Sequence, residues 1–532
     1  MEVEVLSLPK EACLEALEKL RGQSSSLQRV KAELAQRYGL KGLPGNAELY
    51  SALQGLNPPA GMAEVLRRKE VRRASGVLVV AAMTKPLPCP HGRCLYCPGG
   101  PSDGTPQSYT GKEPAARRGA QHGYDPRSQV ESRLNQLKAI GHLIDKVELI
   151  VMGGTFPAAP TEYQEWFVKG CLEGLIGREA GSLDEALELA ERAPVRNTAI
   201  TVETRPDWAK KPHVDQMLRL GVTRVEIGVQ TLRDEVYRLV ERGHTVADVV
   251  EATRLLKDAG MKVCYHMMPG LPGSSLQADL EDFERLFADP NFRPDMLKVY
   301  PTLVLKGTKL HRLWAEGKYK PYPVEDVVNL LVKVKSRLPG WVRVQRVQRD
   351  IPAPLIVDGV KAGNLREIVQ KRMEKLGLKC RCIRCREAGH LQAKKGVRPN
   401  PAYVRLTADR YEASQGIEVF LAYGDVVQDI LVGWLRLRIP SEKAYRPEVK
   451  GRTAIVRELH ISGPMTPRGE RLDGAWQHKG YGRSLLAEAE RIAKEEYDVG
   501  KLLVNSAVGV KEYYRRLGYR KHGAYMAKDL AG

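Results

Sequence analysis

Between residues 76 and 350, short runs rich in branched apolar residues alternate with longer segments of helical spacing. The runs are "GVLVVAAM", "VELIVM", "AITVET", "RVEIGVQT", "KVCYHMMPG", "MLKVYPT" and "WVRVQR". Helical segments near 127–144, 162–175, 182–192, 246–258 and 277–288 lie between them. This order predicts a parallel sheet, because parallel neighbours need a crossover between them. Six or seven such units point to a partial or closed (β/α) barrel rather than a flat doubly wound sheet. Spacing alone does not choose between open and closed. Polar and glycyl groups follow successive runs: Gly153, Gly154 and Thr155, then Glu203 and Arg205, Gln230, His266 and Met267, and Tyr300. The carboxyl ends of parallel strands are where such folds carry chemistry.

The rest of the chain reads differently. Residues 1–75 look helical and end in "RRKEVRRASG", where Arg67, Arg68, Lys69, Arg72 and Arg73 face a single acid. Residues 351–400 lose the alternation and read as a linker. From 401 to 532, "VFLAYG", "ILVGWLRLRI" and "AIVRELHISG" read as consecutive antiparallel strands, followed by a glycine turn and the helix "GRSLLAEAERIAKEEY". The fold class is therefore α/β, a partial barrel over 76–350 followed by an α+β domain over 401–532.

A length of 532 residues suggests two to four domains. The formal net charge of +20 calls for a polyanionic partner, of which nucleic acid is the commonest. The N-terminus lacks the basic flank and apolar centre of a secretion signal, and the apolar runs are too short to span a bilayer. The expectation is an intracellular, cytoplasmic protein without a membrane segment.

Six of the nine cysteines fall in two tight groups: Cys89, Cys94 and Cys97 in "CPHGRCLYCPGG", and Cys380, Cys382 and Cys385 in "CRCIRCREAGH". Tight triplets in a reducing compartment read as metal sites. The first follows the first strand of the barrel. Zinc with His91 as fourth ligand is one reading. A four-iron four-sulfur (4Fe-4S) cluster with one iron left open is the other. For the second group, His390 is a candidate fourth ligand of a structural zinc site, with a reducible pair or an unoccupied loop as alternatives.

"QHKGYG", Gln477 to Gly482, lies between a strand and an amphipathic helix. Such a turn aims backbone amides at a pyrophosphate, and the helix dipole adds to the attraction.

These motifs resemble two families. The first cysteine group, "MGGTF", "TVETRPD", "EIGVQT" and "HMMPGLPG" are similar to the radical S-adenosylmethionine (SAM) superfamily, although the cysteine spacing is four and two rather than three and two. The resemblance implies a 4Fe-4S cluster on Cys89, Cys94 and Cys97, with SAM held near Gly153, Gly154, Thr155, Glu203, Gln230 and Met267. The glycine turn resembles the acetyl-CoA site of GCN5-related N-acetyltransferases. It implies cofactor contacts from Leu459, His460 and Ile461 and from Gln477, His478, Lys479, Gly480, Tyr481, Gly482 and Arg483, with Tyr513 or Tyr514 facing the thioester. Together with "MTKPLPCPHG", "QSYTGKEP", "RGHT", "QRDIPAP" and "GNLREI", the chain resembles the Elongator catalytic-subunit family, in its archaeal or bacterial form.

That family attaches an acetyl-derived carboxymethyl group to carbon 5 of the wobble uridine in the tRNA anticodon. The methyl C–H of acetyl-CoA is unactivated, which accounts for joining a radical generator to an acetyl-CoA site. Lys85 is a candidate for steering substrate, and Lys298 is another. Phosphate contacts are expected from the 67–73 cluster and from Arg117, Arg118, Arg343, Arg346 and Arg349. The resemblance implies action on the anticodon stem-loop without other Elongator subunits, and leaves open a homodimer. A protein lysine acetyltransferase with an iron–sulfur scaffold, and a tRNA-binding scaffold, are the competing readings.

Overall fold

The structure is a computed structural model that describes residues 15, 27–39, 49, 74, 76–463, 466 and 475–530. The basic cluster of Arg67, Arg68, Lys69, Arg72 and Arg73 lies outside the described residues. Of the helical N-terminal region, the helix Leu27–Arg37 is described.

The alternating pattern forms seven strands: β1 (Leu78–Met83), β2 (Lys146–Met152), β3 (Arg196–Thr204), β4 (Arg224–Gln230), β5 (Lys262–Met267), β6 (Met296–Val299) and β7 (Arg343–Arg346). They pair in sequence order, and every pairing is parallel. Among the described residues no strand joins β7 back to β1, so the barrel is partial. The crossover helices start where their sequences supply caps. Asp125 accepts from Ser128 N before Pro126–Ala139, and Thr245 and Asp248 form a reciprocal capping box before Val246–Asp258. The main core lies between the sheet and these helices, with Val80, Val147, Val202, Val225, Val263 and Leu297 on the sheet side.

The second domain is a seven-stranded sheet: β8 (Val404–Ala413), β9 (Gly416–Asp425), β10 (Ile430–Ile439), β11 (Thr453–Ile461), β12 (Lys501–Val504), β13 (Arg520–His522) and β14 (Tyr525–Asp529). The order is β8-β9-β10-β11-β12-β14-β13, antiparallel except for the β11–β12 pair. Helix Tyr481–Tyr497 packs Leu485, Leu486, Ala489, Ile492 and Ala493 onto it.

Residues 351–400 are more ordered than a linker. Helix Leu365–Lys375 buries Leu365, Val369 and Met373 in the same core as the barrel, and Ile383–Arg386 and Ala388–Lys395 follow. Their pattern is short and irregular, so alternation did not reveal them.

The second domain caps the amino ends of the barrel strands. Asn505 donates to the carbonyls of Val222 and Gly260, just before β4 and β5. A side chain at Gly509 would meet Asn197 N at 2.5 Å, at the start of β3. The joint is charged and buried. Lys257, Asp258 and Asp295 from the barrel meet Glu418, Arg438 and Arg457 from the sheet. Burial pulls the Lys257 ammonium down to about 8, against the pull of Asp295 at 3.9 Å and Glu418 at 3.7 Å.

Candidate functional site

The first cysteine group sits in the loop after β1, at the carboxyl ends of the strands. Each thiol has polar company. Cys89 Sγ is 3.2 Å from Thr155 Oγ1, and Cys97 Sγ is 3.2 Å from Ser108 Oγ and 3.0 Å from the donor Gln107 Nε2. Cys94 Sγ is 3.0 Å from His91 Nε2 and receives Arg242 Nη1 at 3.5 Å. Burial, then Arg205 and Arg242, lowers His91 to about 3, so its imidazole is neutral. Donors and a buried guanidinium aimed at sulfur would suit an anionic cluster held there.

Spacing separates this group from the second one. Zinc–sulfur bonds of ~2.3 Å place tetrahedral thiolates ~3.8 Å apart. The sulfurs of Cys380, Cys382 and Cys385 lie within 4.8 Å of one another, as one small ion requires. Among the described residues, Cys89, Cys94 and Cys97 form no group that tight, which fits the wider corners of a cubane.

Around the cluster loop, glycine is required by space. At Gly153, with φ 138°, a Cβ would lie 1.9 Å from Thr84 Oγ1. Thr84 fills that space, and the next residues of the turn, Gly154 and Thr155, line the cavity. Glu203, at the end of β3, accepts from Tyr109 Oη at 2.7 Å. Gln230 ends β4 with φ 75°, a strained value for a side-chain-bearing residue.

In the second domain, β11 and β12 pair only from Thr453↔Lys501 to Val456↔Val504. Beyond Val456, β11 continues to Ile461 without β12. Arg457 is an extra residue at a bulge in the β10–β11 register. The backbone of 458–461 therefore has one free edge, which suits the amides of a pantetheine arm. Helix Tyr481–Tyr497 begins beside it after Gly480 at φ 91°, leaving the first-turn amides of 481–483 for a diphosphate. Gln477 fixes the turn by taking Lys146 Nζ at 3.2 Å and Thr466 N at 3.3 Å on its carbonyl. The Tyr513 hydroxyl lies 3.1 Å from where a Cβ on Gly482 would stand. Tyr514 packs with Tyr519 in the domain core. Of the two tyrosines, Tyr513 is the one whose hydroxyl stands over the glycine turn.

The two sites lie at opposite ends of the barrel strands, and one cavity of about 1800 Å³ joins them. Cys89, Cys94, Cys97, Gly154 and Glu203 line one end, and Leu459, His460, Gln477, Gly482 and Tyr513 the other. Between them the wall is the inner face of the barrel, with Glu148, Arg224, Glu226, His266 and Lys298.

Comparison with known proteins agrees with this geometry. Residues 88–287 match the radical SAM superfamily, 294–375 the radical SAM C-terminal domain, and 472–529 the acetyltransferase (GNAT) domain. The tRNA uridine(34) acetyltransferase of Methanocaldococcus jannaschii is 50% identical over 510 residues, covering 95% of this chain and 94% of its own. The chain belongs to the Elongator complex protein 3 family. The Homo sapiens Elongator complex protein 3 is 46% identical over 518 residues, 96% of this chain and 94% of its own. A solved structure, the archaeal Methanocaldococcus infernus Elp3 with N-terminus deletion (1-46), superposes with a TM-score of 0.76 at 48% identity, covering 86% of this chain and 99% of its own.

Within this Elongator complex protein 3 family member, several expected residues take other places. Lys85 is exposed outside the cavity, its ammonium 4.8 Å above the Tyr163 ring. Met267 faces the outer core, and the next residue, Met268, packs on Cys94, Leu95, Tyr96 and Cys97 and lines the cavity. Alternation along β5 runs on past its end, so Met268 shares the inward side with Lys262 and His266, and Met267 the outer side with Val263 and Tyr265. His390 is not within reach of the second cysteine group. Its ring faces Glu387 at 3.6 Å and the cavity, because helix Ala388–Lys395 turns it away. Lys335 Nζ instead lies 3.4 Å from Cys380 Sγ and 3.7 Å from Cys385 Sγ. Hydrogen bonds from Cys380 and Cys385 hold the Cys382 thiol well below its ordinary range. The Lys335 ammonium is thus the cation beside these sulfurs among the described residues.

Of the expected arginines, Arg117 is exposed away from the cavity, while Arg118, Arg343, Arg346 and Arg349 line it. Arg343 is 2.8 Å from Glu387, Arg346 pairs with Asp350, and Arg349 donates to Ser108 O at 2.6 Å. Lys479 covers Trp476 rather than the cavity. Sequence reasoning missed Gln107, Ser108 and Arg242 beside the sulfurs. "RGHT" carried the signal for Arg242, and "QSYTGKEP" the signal for Gln107 and Ser108.

Proposed function

We propose that this protein is a tRNA uridine(34) acetyltransferase that builds a carboxymethyl group on carbon 5 of the wobble uridine, using acetyl-CoA and radical SAM chemistry. The observation that carries the reading is the single cavity joining the cysteine loop to the acetyltransferase turn. A 4Fe-4S cluster with SAM, when bound, supplies a radical strong enough to take hydrogen from an unactivated methyl.

The chain's own residues bind, orient and exclude water. Cys89, Cys94 and Cys97 would hold the cluster, with Arg242 and Gln107 donating to the sulfurs. Gly153, Gly154 and Thr155 would let SAM approach the backbone, with Glu203 and Gln230 on the facing strand ends. Leu459, His460 and Ile461 would pair with the pantetheine arm, and the amides of 481–483 would take the diphosphate, with Arg483 adjacent. The Tyr513 hydroxyl is placed to donate to the thioester. Arg118, Arg346 and Arg349 would contact phosphates of the anticodon stem-loop. Cys380, Cys382 and Cys385 would hold zinc as a structural ion. We read the protein as acting in the cytoplasm, where its tRNA substrate is, without further Elongator subunits, as a monomer or homodimer. Among the described residues no helix is long and apolar enough to cross a membrane.

The test is anaerobic incubation of reconstituted protein with SAM, reductant, acetyl-CoA and unmodified tRNA, followed by mass analysis of the nucleosides. Carboxymethylated uridine, lost in Cys94→Ala, is expected. Acetyl-lysine with unchanged tRNA would favour the lysine acetyltransferase reading, which gives the polar lumen no task.

A further inference from the structure

The lumen of a closed barrel is filled by layers of branched side chains. Here it is polar. Glu226 sits midway along β4, fully buried, and lines the cavity. Its Oε2 takes His266 Nε2 at 2.9 Å and Lys298 Nζ, and its Oε1 faces Arg224 Nη2 at 3.3 Å. The carboxylate is held well below its ordinary range: burial works against this, but Lys298, His266 and Arg224 outweigh it. The pair is therefore ionised. Glu226, Cys264 and His266 have ligand atoms within 4.8 Å of one another, but the Lys298 ammonium against Glu226 stands where a metal cation would. An ammonium has three donors. Among the described residues, Glu226 is the acceptor that Lys298 Nζ reaches. Its remaining donors face the lumen between the two cofactor sites.

The same cavity reaches the gap between the unpaired edges of β1 and β7. Arg118 and Arg133 flank it on one side, and Arg346, Arg349 and Arg366 on the other. Val79, on the β1 edge, is 49% exposed and lines the cavity. Guanidiniums at the rim and an apolar edge at the threshold suit a ribose-phosphate outside and a nucleobase passing inward.

We propose that the flipped wobble base enters the lumen through the β1–β7 gap and is read there by Lys298, which donates to the carbonyl at position 4 of uracil. Glu226 and His266 are positioning residues that hold this ammonium. The proposal rests on tRNA being the substrate. It also supplies base selection. Cytosine carries an amino donor at position 4, which meets the Lys298 donor head on. A site built around one hydrogen-bond pattern rejects its inverse, by roughly tenfold or more for a well-formed contact.

The experiment uses the anaerobically reconstituted full chain and anticodon stem-loops carrying a fluorescent uracil analogue at the wobble position. Stem-loop affinity is read by filter binding, and base insertion by the fluorescence change on unstacking. Wild type gives both signals and binds the uridine stem-loop roughly tenfold tighter than its cytidine counterpart. Lys298→Met keeps the phosphate contacts, and so its affinity for the cytidine stem-loop, but loses the fluorescence change and the preference for uridine. Lys298→Arg restores part of the preference. Glu226→Gln lowers the preference without abolishing binding. Val79→Trp, at an exposed position that leaves the fold intact, blocks the gap and loses the fluorescence change. A fluorescence change that survives in either Lys298→Met or Val79→Trp overturns the proposal and leaves tRNA binding standing. Absence of stem-loop binding by wild type overturns the substrate reading, and the proposal with it.

Discussion

Arg457 and Asp295 join the two domains: the two terminal nitrogens of the guanidinium reach the two carboxylate oxygens at 2.8 and 2.7 Å, and neither side chain is exposed. Arg457 follows Ile455 on the barrel-facing side of β11, and the bulge at this point brings Glu458 to the same side. Removing one partner of such a pair strands a buried charge, at a cost of about 3–5 kcal/mol. Arg457→Met is therefore expected to lower the thermal unfolding midpoint sharply. The double variant with Asp295→Asn should recover part of the loss. Calorimetry under anaerobic conditions checks both, and equal midpoints for wild type and Arg457→Met would refute the coupling.

The two cysteine groups should load independently. Cys94→Ala is expected to bring iron and sulfide after reconstitution to background while sparing metal at Cys380, Cys382 and Cys385. Cys382→Ala should do the reverse, since a donor set short of one thiolate loses most of its affinity. Elemental analysis of both variants reads the outcome. Loss of both metals in both variants would mean that the groups are not separate sites.

Gly482 is required by what stands over it. A Cβ there would be 3.1 Å from the Tyr513 hydroxyl and would crowd the amides of 481–483. Gly482→Val is expected to weaken acetyl-CoA binding at least tenfold by titration calorimetry, with SAM binding unchanged. Unaltered acetyl-CoA affinity would place the diphosphate elsewhere.

Glu458, beside the cavity, titrates at about 2 rather than 4.5: burial raises it, but Arg436 at 2.8 Å, with Lys262 and His460, outweighs that. A depressed carboxyl contributes stability above its unfolded value and loses it as pH falls. The contribution is on the order of 3 kcal/mol, lost between about pH 4.5 and 2. Urea unfolding midpoints should fall across that window, and more shallowly in Glu458→Gln. Parallel profiles would show that Glu458 is not a source of the acid lability.

Much of the site was legible because its parts are local. The cysteine spacing, the "MGGTF" turn and "QHKGYG" each carry their chemistry within a few residues of chain, and the structure keeps each in one loop. Lys85 misled because its role depends on where a strand ends. Past that point side-chain direction no longer follows period two, so Lys85 folds over Tyr163; for Met267 the alternation itself, continued from Lys262 and His266, puts Met268 inward instead. His390 misled because spacing measures reach along the chain, whereas helix Ala388–Lys395 decides which way the ring points.

By itself the sequence determined the two folds, their order and the chemistry of each cofactor turn, since apolar period, glycine placement and thiol spacing act over short range. Only the tertiary structure decided that the acetyltransferase sheet caps the amino ends of the barrel, that the lumen is a polar passage and that, among the described residues, no strand closes the barrel between β1 and β7. Those outcomes depend on residues hundreds of positions apart, such as Asp295 with Arg457 and Lys146 with Gln477, meeting with complementary charge and shape. No local pattern records that they will meet.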